Sequence, residues 1–354
     1  MNIMKNKVLM VTSIHEFSGG AICSKRNYRA LCNIFGNENV EIFDLSNINK
    51  HNTNILIKLF NFINGKLFSI FVENIIIEKS KYFTIVFLDS SIYGQFAKKI
   101  KIKHPYINII SFFHNMELDY YKDCVPKINL LWKVYCNEKF SCIYSDITIA
   151  LNYRDVKRIK QIYGKKVDAI IPISFTDRHI NFNQNNISNI LTGLFFGSNF
   201  IANIQGIHWF IRNVLPYIDI KLQIIIKDIN KENLPQNNKL ELIGFVENLE
   251  PYIQNADLII LPIFLGSGMK VKTCEALMYG KNIIGTEESF IGYDVDFDKI
   301  GAKCENAQEF IKAINEFPKR FKSKYNEYSR KIFLEKYNDI VVYKQFNDLI
   351  FNYY

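Results

Sequence analysis

Lys272 and Glu275 stand three residues apart within LPIFLGSGMKVKTCEALMYGKNIIGT, residues 261 to 286. On a helix that spacing puts both side chains on one face, with Val271, Cys274 and Met278 turned toward a core. A cation there suits a phosphate oxygen. A carboxylate, which only accepts hydrogen bonds when ionised, suits vicinal hydroxyls such as those of a ribose. Just upstream, Gly266 and Gly268 flank Ser267, so a tight turn can form with no Cβ blocking close backbone approach. A helix starting near Met269 would aim its unsatisfied amides into that turn and make an anion cradle. A nucleoside diphosphate is the ligand class that satisfies both groups. The same spacing fits an ordinary surface ion pair after a helix start, and spacing alone leaves both readings open.

Positioning such a pair requires a sheet edge, and the chain supplies apolar runs alternating with helix-length amphipathic segments. The first series is VLMVT (8 to 12), VEIFDL (40 to 45), FTIVFLD (83 to 89), INIISFF (107 to 113), ITIAL (147 to 151) and VDAIIPI (167 to 173). After a polar stretch at 178 to 189, which reads as a linker, come ILTGLFFG (190 to 197), KLQIIIK (221 to 227), LELIGF (240 to 245), DLIILPI (257 to 263) and NIIGT (282 to 286). Strands apolar on both faces, in βαβ order, predict two parallel sheets in tandem, each covered by helices. The expected domains are 1–180 and 190–335, both Rossmann-like, with 336–354 as a C-terminal helix crossing back to the first. An aromatic stripe, Phe333, Tyr337, Tyr343, Phe346 and Phe351, marks that final segment.

The 354 residues carry 44 Lys+Arg against 35 Asp+Glu, a net charge of +9. The excess is uneven: residues 1 to 185 hold 25 basic and 15 acidic side chains, the remainder 19 and 20. Lysine clusters mixed with Phe, Ile and Leu at 58–71, 98–104 and 153–166 fit either an anionic lipid surface or solvated helix faces in a lysine-rich protein. No nucleic-acid module is present in the pattern. The seven cysteines form no C-x-x-C pair, which argues for reduced thiols and a cytoplasmic setting. The apolar run near the N-terminus is too short for a secretory signal, and no stretch reaches the roughly 18 apolar residues of a membrane span.

The run GSGMKVKTCEALMYGKNIIGT (266 to 286), preceded by LIGFVENLEPYIQNADLIILP (242 to 262), closely resembles the donor half of family 4-like glycosyltransferases of the GT-B fold, of the bacterial surface-polysaccharide or glycan type. Weaker matches are GLFFGS (193 to 198) with NIQGIHWF (203 to 210), SGG (18 to 20) and FHNME (113 to 117), and together they cover most of the chain in order. The resemblance implies an α/β GT-B enzyme with a cleft between two Rossmann-like domains. It implies that Glu275 binds the nucleotide ribose and Lys272 the donor diphosphate. Gly266, Ser267, Gly268 and Met269, with Lys270, would lie against sugar and phosphates. Gly197 would form the glycine turn at the cleft, Val246 would lie near the nucleobase, and Gly19 and Gly20 would belong to the glycine loop after the first strand. His114 would reach the transferred sugar, and Lys227 is a further candidate for the leaving group.

One position departs from the family pattern: the glutamate expected eight residues before Glu275 is Ser267. That loss keeps a non-catalytic GT-B subunit stabilising an active partner as an alternative, with a nucleotide-sugar epimerase behind it. The resemblance implies transfer with retention, in which the leaving phosphate takes the acceptor's proton, and no metal cofactor. Asp294, Asp296 and Asp298 form a D-x-D-like run, but Lys299 stands where a calcium loop needs glycine, so the run reads as a solvated loop. His15, near the Gly19-Gly20 loop, is the other histidine retained as a site candidate. The expected partners are a nucleotide sugar, a glycan, lipid-linked or protein-linked acceptor, and an anionic membrane touched by the first domain at its cytoplasmic face.

Overall fold

The structure, a computed structural model, describes residues 6–13, 19–47, 65–124, 128–178, 186–229, 234 and 237–353. The chain divides into two compact units, Met1–Pro172 with Val342–Tyr354, and Ile173–Val341.

In the first unit, strands β1 (Val8–Thr12), β2 (Val40–Asp44), β3 (Ile85–Leu88), β4 (Asn108–Phe113), β5 (Ile147–Ala150) and β6 (Ala169–Ile170) form a parallel sheet in the order β2-β1-β3-β4-β5-β6. Every residue of β1, β3 and β5 is buried. Uninterrupted apolar strands are what helices on both faces demand. The helices are α1 (Gly19–Phe35), α2 (Ile70–Ser80), α3 (Gly94–Lys103), α4 (Glu117–Cys124), α5 (Ile128–Tyr144) and α6 (Tyr153–Tyr163). Their ends follow local chemistry. Asn152 accepts the Asp155 amide at 2.9 Å to open α6, and Gly164, at φ 70°, closes it in the left-handed conformation a glycine adopts without strain.

The second unit holds β7 (Leu191–Gly197), α7 (Ile201–Asn213), β8 (Ile220–Ile226), β9 (Leu240–Leu242), α8 (Glu250–Asn255), β10 (Leu258–Leu261), α9 (Val271–Met278), β11 (Asn282–Gly285), α10 (Phe297–Ile300), β12 (Gly301–Lys303), α11 (Ala307–Arg320) and α12 (Glu327–Ile332). Its parallel sheet runs β12-β11-β10-β7-β8-β9. The last helix, α13 (Asp339–Tyr353), leaves this unit at Val341. From there it packs on the first unit, with Phe346 buried 6.5 Å from the Phe87 ring and 6.2 Å from that of Phe112.

Four details differ from the sequence reading. β12 is absent from it because GAK has no apolar run; the strand exists through its pairing with β11. Helix α9 begins at Val271, two residues later than Met269. The aromatic stripe is not one surface: Phe333 and Tyr337 are buried in the second unit, Phe346 in the first, and Phe351 is 55% exposed. Of the stretch read as a linker, 179–185 lies outside the described residues, while Asn186 bridges Ser323 and the Ile187 amide donates to the Lys322 carbonyl.

Winding reverses between β1 and β3 in one sheet and between β7 and β10 in the other. Open α/β sheets take ligands outside the strand carboxyl ends at such points. The second switch point is tightly built: a Cβ on Gly206 of α7 would come 1.9 Å from the Pro262 carbonyl oxygen, so the helix rests directly on the segment leaving β10. Gly206→Ala should cost about 1–3 kcal/mol through overpacking, read as a lower urea midpoint with an unchanged m-value. A wild-type midpoint would show that α7 is not held against Pro262.

Candidate functional site

At the second switch point the loop 262–270 carries Gly266 at φ 125° and Gly268 at φ 65°, conformations that exclude most side chains. Helix α9 follows with no acidic residue in its first turn. The amides of Val271 and Lys272, at its first two positions, have no intrahelical carbonyl to reach. Lys272 turns toward the end of β7, where a Cβ on Gly197 would lie 2.9 Å from its Nζ. The ammonium donates to Asn203 Oδ1 at 2.6 Å and sits 4.7 Å from the centre of the Phe195 ring. Burial, helped by the charge of Lys270, lowers its pKa from 10.5 to about 7. Glu275 is raised from 4.5 to about 7 by burial, with Arg178 pulling the other way. Arg178 donates to the Tyr279 hydroxyl at 2.7 Å.

Lys272 and Glu275 make no ion pair with each other; each is half-buried and keeps its own surroundings. That geometry removes the ordinary surface ion pair as an account of their spacing. Asn203, which fixes the ammonium, was not singled out by sequence reasoning, although it opens the quoted run NIQGIHWF. Lys270 is drawn away from the cradle: its Nζ pairs with Glu288 at 2.6 Å and lies 3.2 and 3.3 Å from the Ser267 and Gly268 carbonyls. Ser267 Oγ is buried without a hydrogen bond, and Met269 is buried. Lys227 ends up exposed beyond β8, its Nζ 5.4 Å from the ring centre of Phe245, with half-buried Val246 next in the chain.

The first switch point has a denser polar cluster. Gly19 and Gly20 form the first turn of α1 rather than a loop, and the helix then delivers Cys23, Arg26 and Asn27 to the ends of β1 and β3. Asp89, just after β3, accepts from Thr12 Oγ1 at 2.8 Å and Asn27 Nδ2 at 2.7 Å. His114, just after β4, places Nε2 2.9 Å from the Asp89 carbonyl and 3.1 Å from Oδ1. Burial alone would lower the His114 pKa, but Asp89 and then Cys23 raise it well above its usual value. Arg26 is fully buried between Phe112 and Phe346, at 5.4 and 5.3 Å from the ring centres, and donates to Cys23 Sγ at 3.1 Å. Burial disfavours the Cys23 thiolate; Arg26 and His114 outweigh it and hold the pKa below the usual thiol value.

Glu117 closes the FHNME run. Its carboxyl has no hydrogen-bond partner among the described residues, and burial, then the charge of Glu138, push it up to about 8. Glu138 collects four donors instead: Ser91 Oγ, the Glu117 and Leu118 amides and the Tyr163 hydroxyl, at 2.8 to 3.1 Å. His15 lies outside the described residues. The three aspartates are spent separately, Asp294 on Lys336, Asp296 on Lys299 and the Asp298 amide, and Asp298 on Arg320. Among the described residues no helix is long and apolar enough to cross a membrane.

Residues 191–318 match the family of group 1 glycosyl transferases, from β7 into α11, and so include Gly197, Lys272 and Glu275. No curated protein matches the sequence significantly. Among solved structures, the chain is similar to the lipopolysaccharide outer core galactosyltransferase WaaB in its apo form, with TM-score 0.69 and 14% identity over 98% of this chain and 99% of that one. HepE from Anabaena in complex with UDP and glucose gives 0.71 and 11%, over 98% and 99%. Sucrose-phosphate synthase from Thermosynechococcus elongatus gives 0.71 and 12%, over 98% of each. The fold is GT-B. The match to group 1 glycosyl transferases falls within the second unit.

The two shifted groups make stability depend on pH in opposite senses. Between 4.5 and about 7 the folded chain holds a proton on Glu275 that the unfolded chain has lost, so stability falls as pH rises. From about 7 to 10.5 the unfolded chain holds one on Lys272 that the folded chain lacks, so stability rises. Urea unfolding across this range should show Glu275→Gln flattening the first limb and Lys272→Met the second. Identical profiles in both variants would mean that neither group is buried as described.

Proposed function

We propose that the protein moves a sugar from a nucleotide-sugar donor to a glycan, lipid-linked or protein-linked acceptor, as in surface polysaccharide or glycan assembly at the cytoplasmic face of a membrane. The observation that carries this reading is the Lys272 ammonium, held at the end of β7 by an amide oxygen and lacking a carboxylate partner among the described residues. A diphosphate supplies the missing anion and meets the amides of α9 at the same place. Glu275, in its ionised form, receives the ribose hydroxyls. Structures of similar fold support the donor class, since HepE has been solved in complex with UDP and with UDP-glucose.

Transfer breaks the bond between the anomeric carbon and a diphosphate oxygen while the acceptor oxygen bonds to that carbon. Negative charge grows on the leaving phosphate, and protonated Lys272 with the helix amides stabilises it. Retention follows if the acceptor's proton passes to that phosphate on the same face, so that neither a dedicated base nor a metal is required. On this reading His114, kept protonated by Asp89, is the group of the first unit that meets the transferred sugar.

Contact with an anionic membrane is also part of the proposal. Its support does not come from the 98–104 run, where Lys99 pairs with Glu73, Lys101 with Asp146 and Lys103 with Glu78. Ile128 and Trp132, 82% and 46% exposed on α5, are better placed for an interface beside Lys133. Trp132→Glu should reduce pelleting with anionic vesicles; unchanged pelleting removes this part of the reading.

A panel of UDP-, GDP- and ADP-sugars with their diphosphates tests the donor site by thermal shift. At least one diphosphate should stabilise the protein, and Lys272→Ala or Glu275→Ala should abolish the effect. Because Lys272 must be protonated to meet the anion, affinity should fall by up to about tenfold per pH unit above about 7. Stabilisation that survives both variants overturns the site. The absent acid at Ser267 favours the non-catalytic subunit as a second reading, and hydrolysis of a nucleotide sugar by the purified protein excludes it.

A further inference from the structure

Ser267 occupies the position where the family pattern has an acid, yet a carboxylate reaches the same loop from elsewhere in the chain. Strands β10 and β11 are neighbours in the sheet, so the turn after β11 lies alongside the loop that leaves β10. Glu287 in that turn faces solvent, while Glu288 is turned inward, its side chain only 15% exposed, onto Lys270. Lys270 Nζ in turn lies 3.2 Å from the Ser267 carbonyl, which places the Glu288 carboxylate within one side chain of position 267.

The turn is not free to drift. The Thr286 amide donates to the Leu261 carbonyl at 3.1 Å, Ser289 Oγ to the same carbonyl at 2.6 Å, and Thr273 Oγ1 to the Ser289 carbonyl at 2.6 Å. The Tyr293 hydroxyl adds a bond of 2.7 Å to the Lys270 carbonyl. These bonds tie the residues on both sides of Glu288 to β10 and α9, and Lys270 ties its carboxylate to the loop. A carboxylate has about four acceptor sites and can hold a cation and hydroxyl donors together. Ser267 Oγ, buried without a hydrogen bond, is a second group in the same loop that a ligand hydroxyl would satisfy.

We propose that Glu288 supplies, from the end of β11, the carboxylate that position 267 lacks, and that with Ser267 Oγ it receives hydroxyls of the donor's sugar. This rests on the nucleotide-sugar reading above and names the residue that reads the sugar rather than the nucleotide. It also removes the reason for regarding Ser267 as the mark of an inactive chain.

The test compares calorimetric binding of the nucleotide sugar that most stabilises the wild type with binding of its parent diphosphate. Glu288→Gln keeps the volume and a hydrogen-bond partner for Lys270. It should weaken the nucleotide sugar by about tenfold or more, the loss expected for a hydrogen bond to a charged group. The diphosphate affinity should change less than about twofold. Adding Ser267→Glu to Glu288→Gln should recover most of the lost sugar affinity, which a purely structural role would not allow. Glu288→Asp replaces the Gln variant if the latter fails to fold, with the same split expected. Unchanged sugar binding, or equal loss for both ligands, overturns the proposal. Absence of any nucleotide binding by the wild type overturns the reading beneath it, and this inference with it.

Discussion

A half-buried ammonium without a carboxylate partner among the described residues is the constraint around which the second unit is arranged. Lys272 has for company one amide oxygen and one aromatic face, enough to orient it but not to neutralise it. Its charge is costly in such surroundings, which is why its pKa falls to about 7. Each neighbouring oddity follows from keeping it there. Gly197 has no side chain because one would meet the ammonium, Asn203 is fixed by the first turn of α7, and α7 itself can rest on Pro262 only through Gly206. Lys270, which would add repulsion, is drawn off by Glu288.

The first unit uses the same topological position differently. There the charges compensate: Asp89 and Cys23 on one side, His114 and Arg26 on the other, all delivered by α1 and the ends of β3 and β4. Such a cluster holds its members rigidly, and it also fastens α13, because Phe346 is one of the two rings that enclose Arg26. The imidazole's Nδ1 is buried, and the Cys23 thiol is a second group that favours the protonated ring. A compensated site positions a group, whereas an uncompensated one attracts a ligand.

Much of this was legible from the chain. Eleven of the twelve strands coincide with apolar runs, because a strand covered on both faces must be apolar at nearly every position. The short strand β12 escaped since its stability comes from its neighbour rather than from its residues. The pair Lys272 and Glu275 was visible through helical periodicity and glycine placement, both local signals. Asn203, Asp89 and Glu288 were not, because what marks them is contact across 69, 77 and 18 residues of sequence. Glu117 and Glu138 show the same limit: two acids 21 apart become unlike only when one collects all the donors.

Net charge illustrates how far composition carries. The first half of the sequence holds the whole excess, and its lysine run at 98–103 looks like a basic surface. Folding pairs three of those lysines with acids drawn from α2 and from the residue before β5, and lays the fourth over Phe140 at 4.4 Å. A field at a surface depends on charges left uncompensated within about a Debye length, not on their density along the chain. The same rule read in the other unit explains how a balanced half can hold an uncompensated cation. Its acids and bases cancel in number, while Lys272, held apart from every carboxylate among the described residues, remains the charge that a diphosphate would meet.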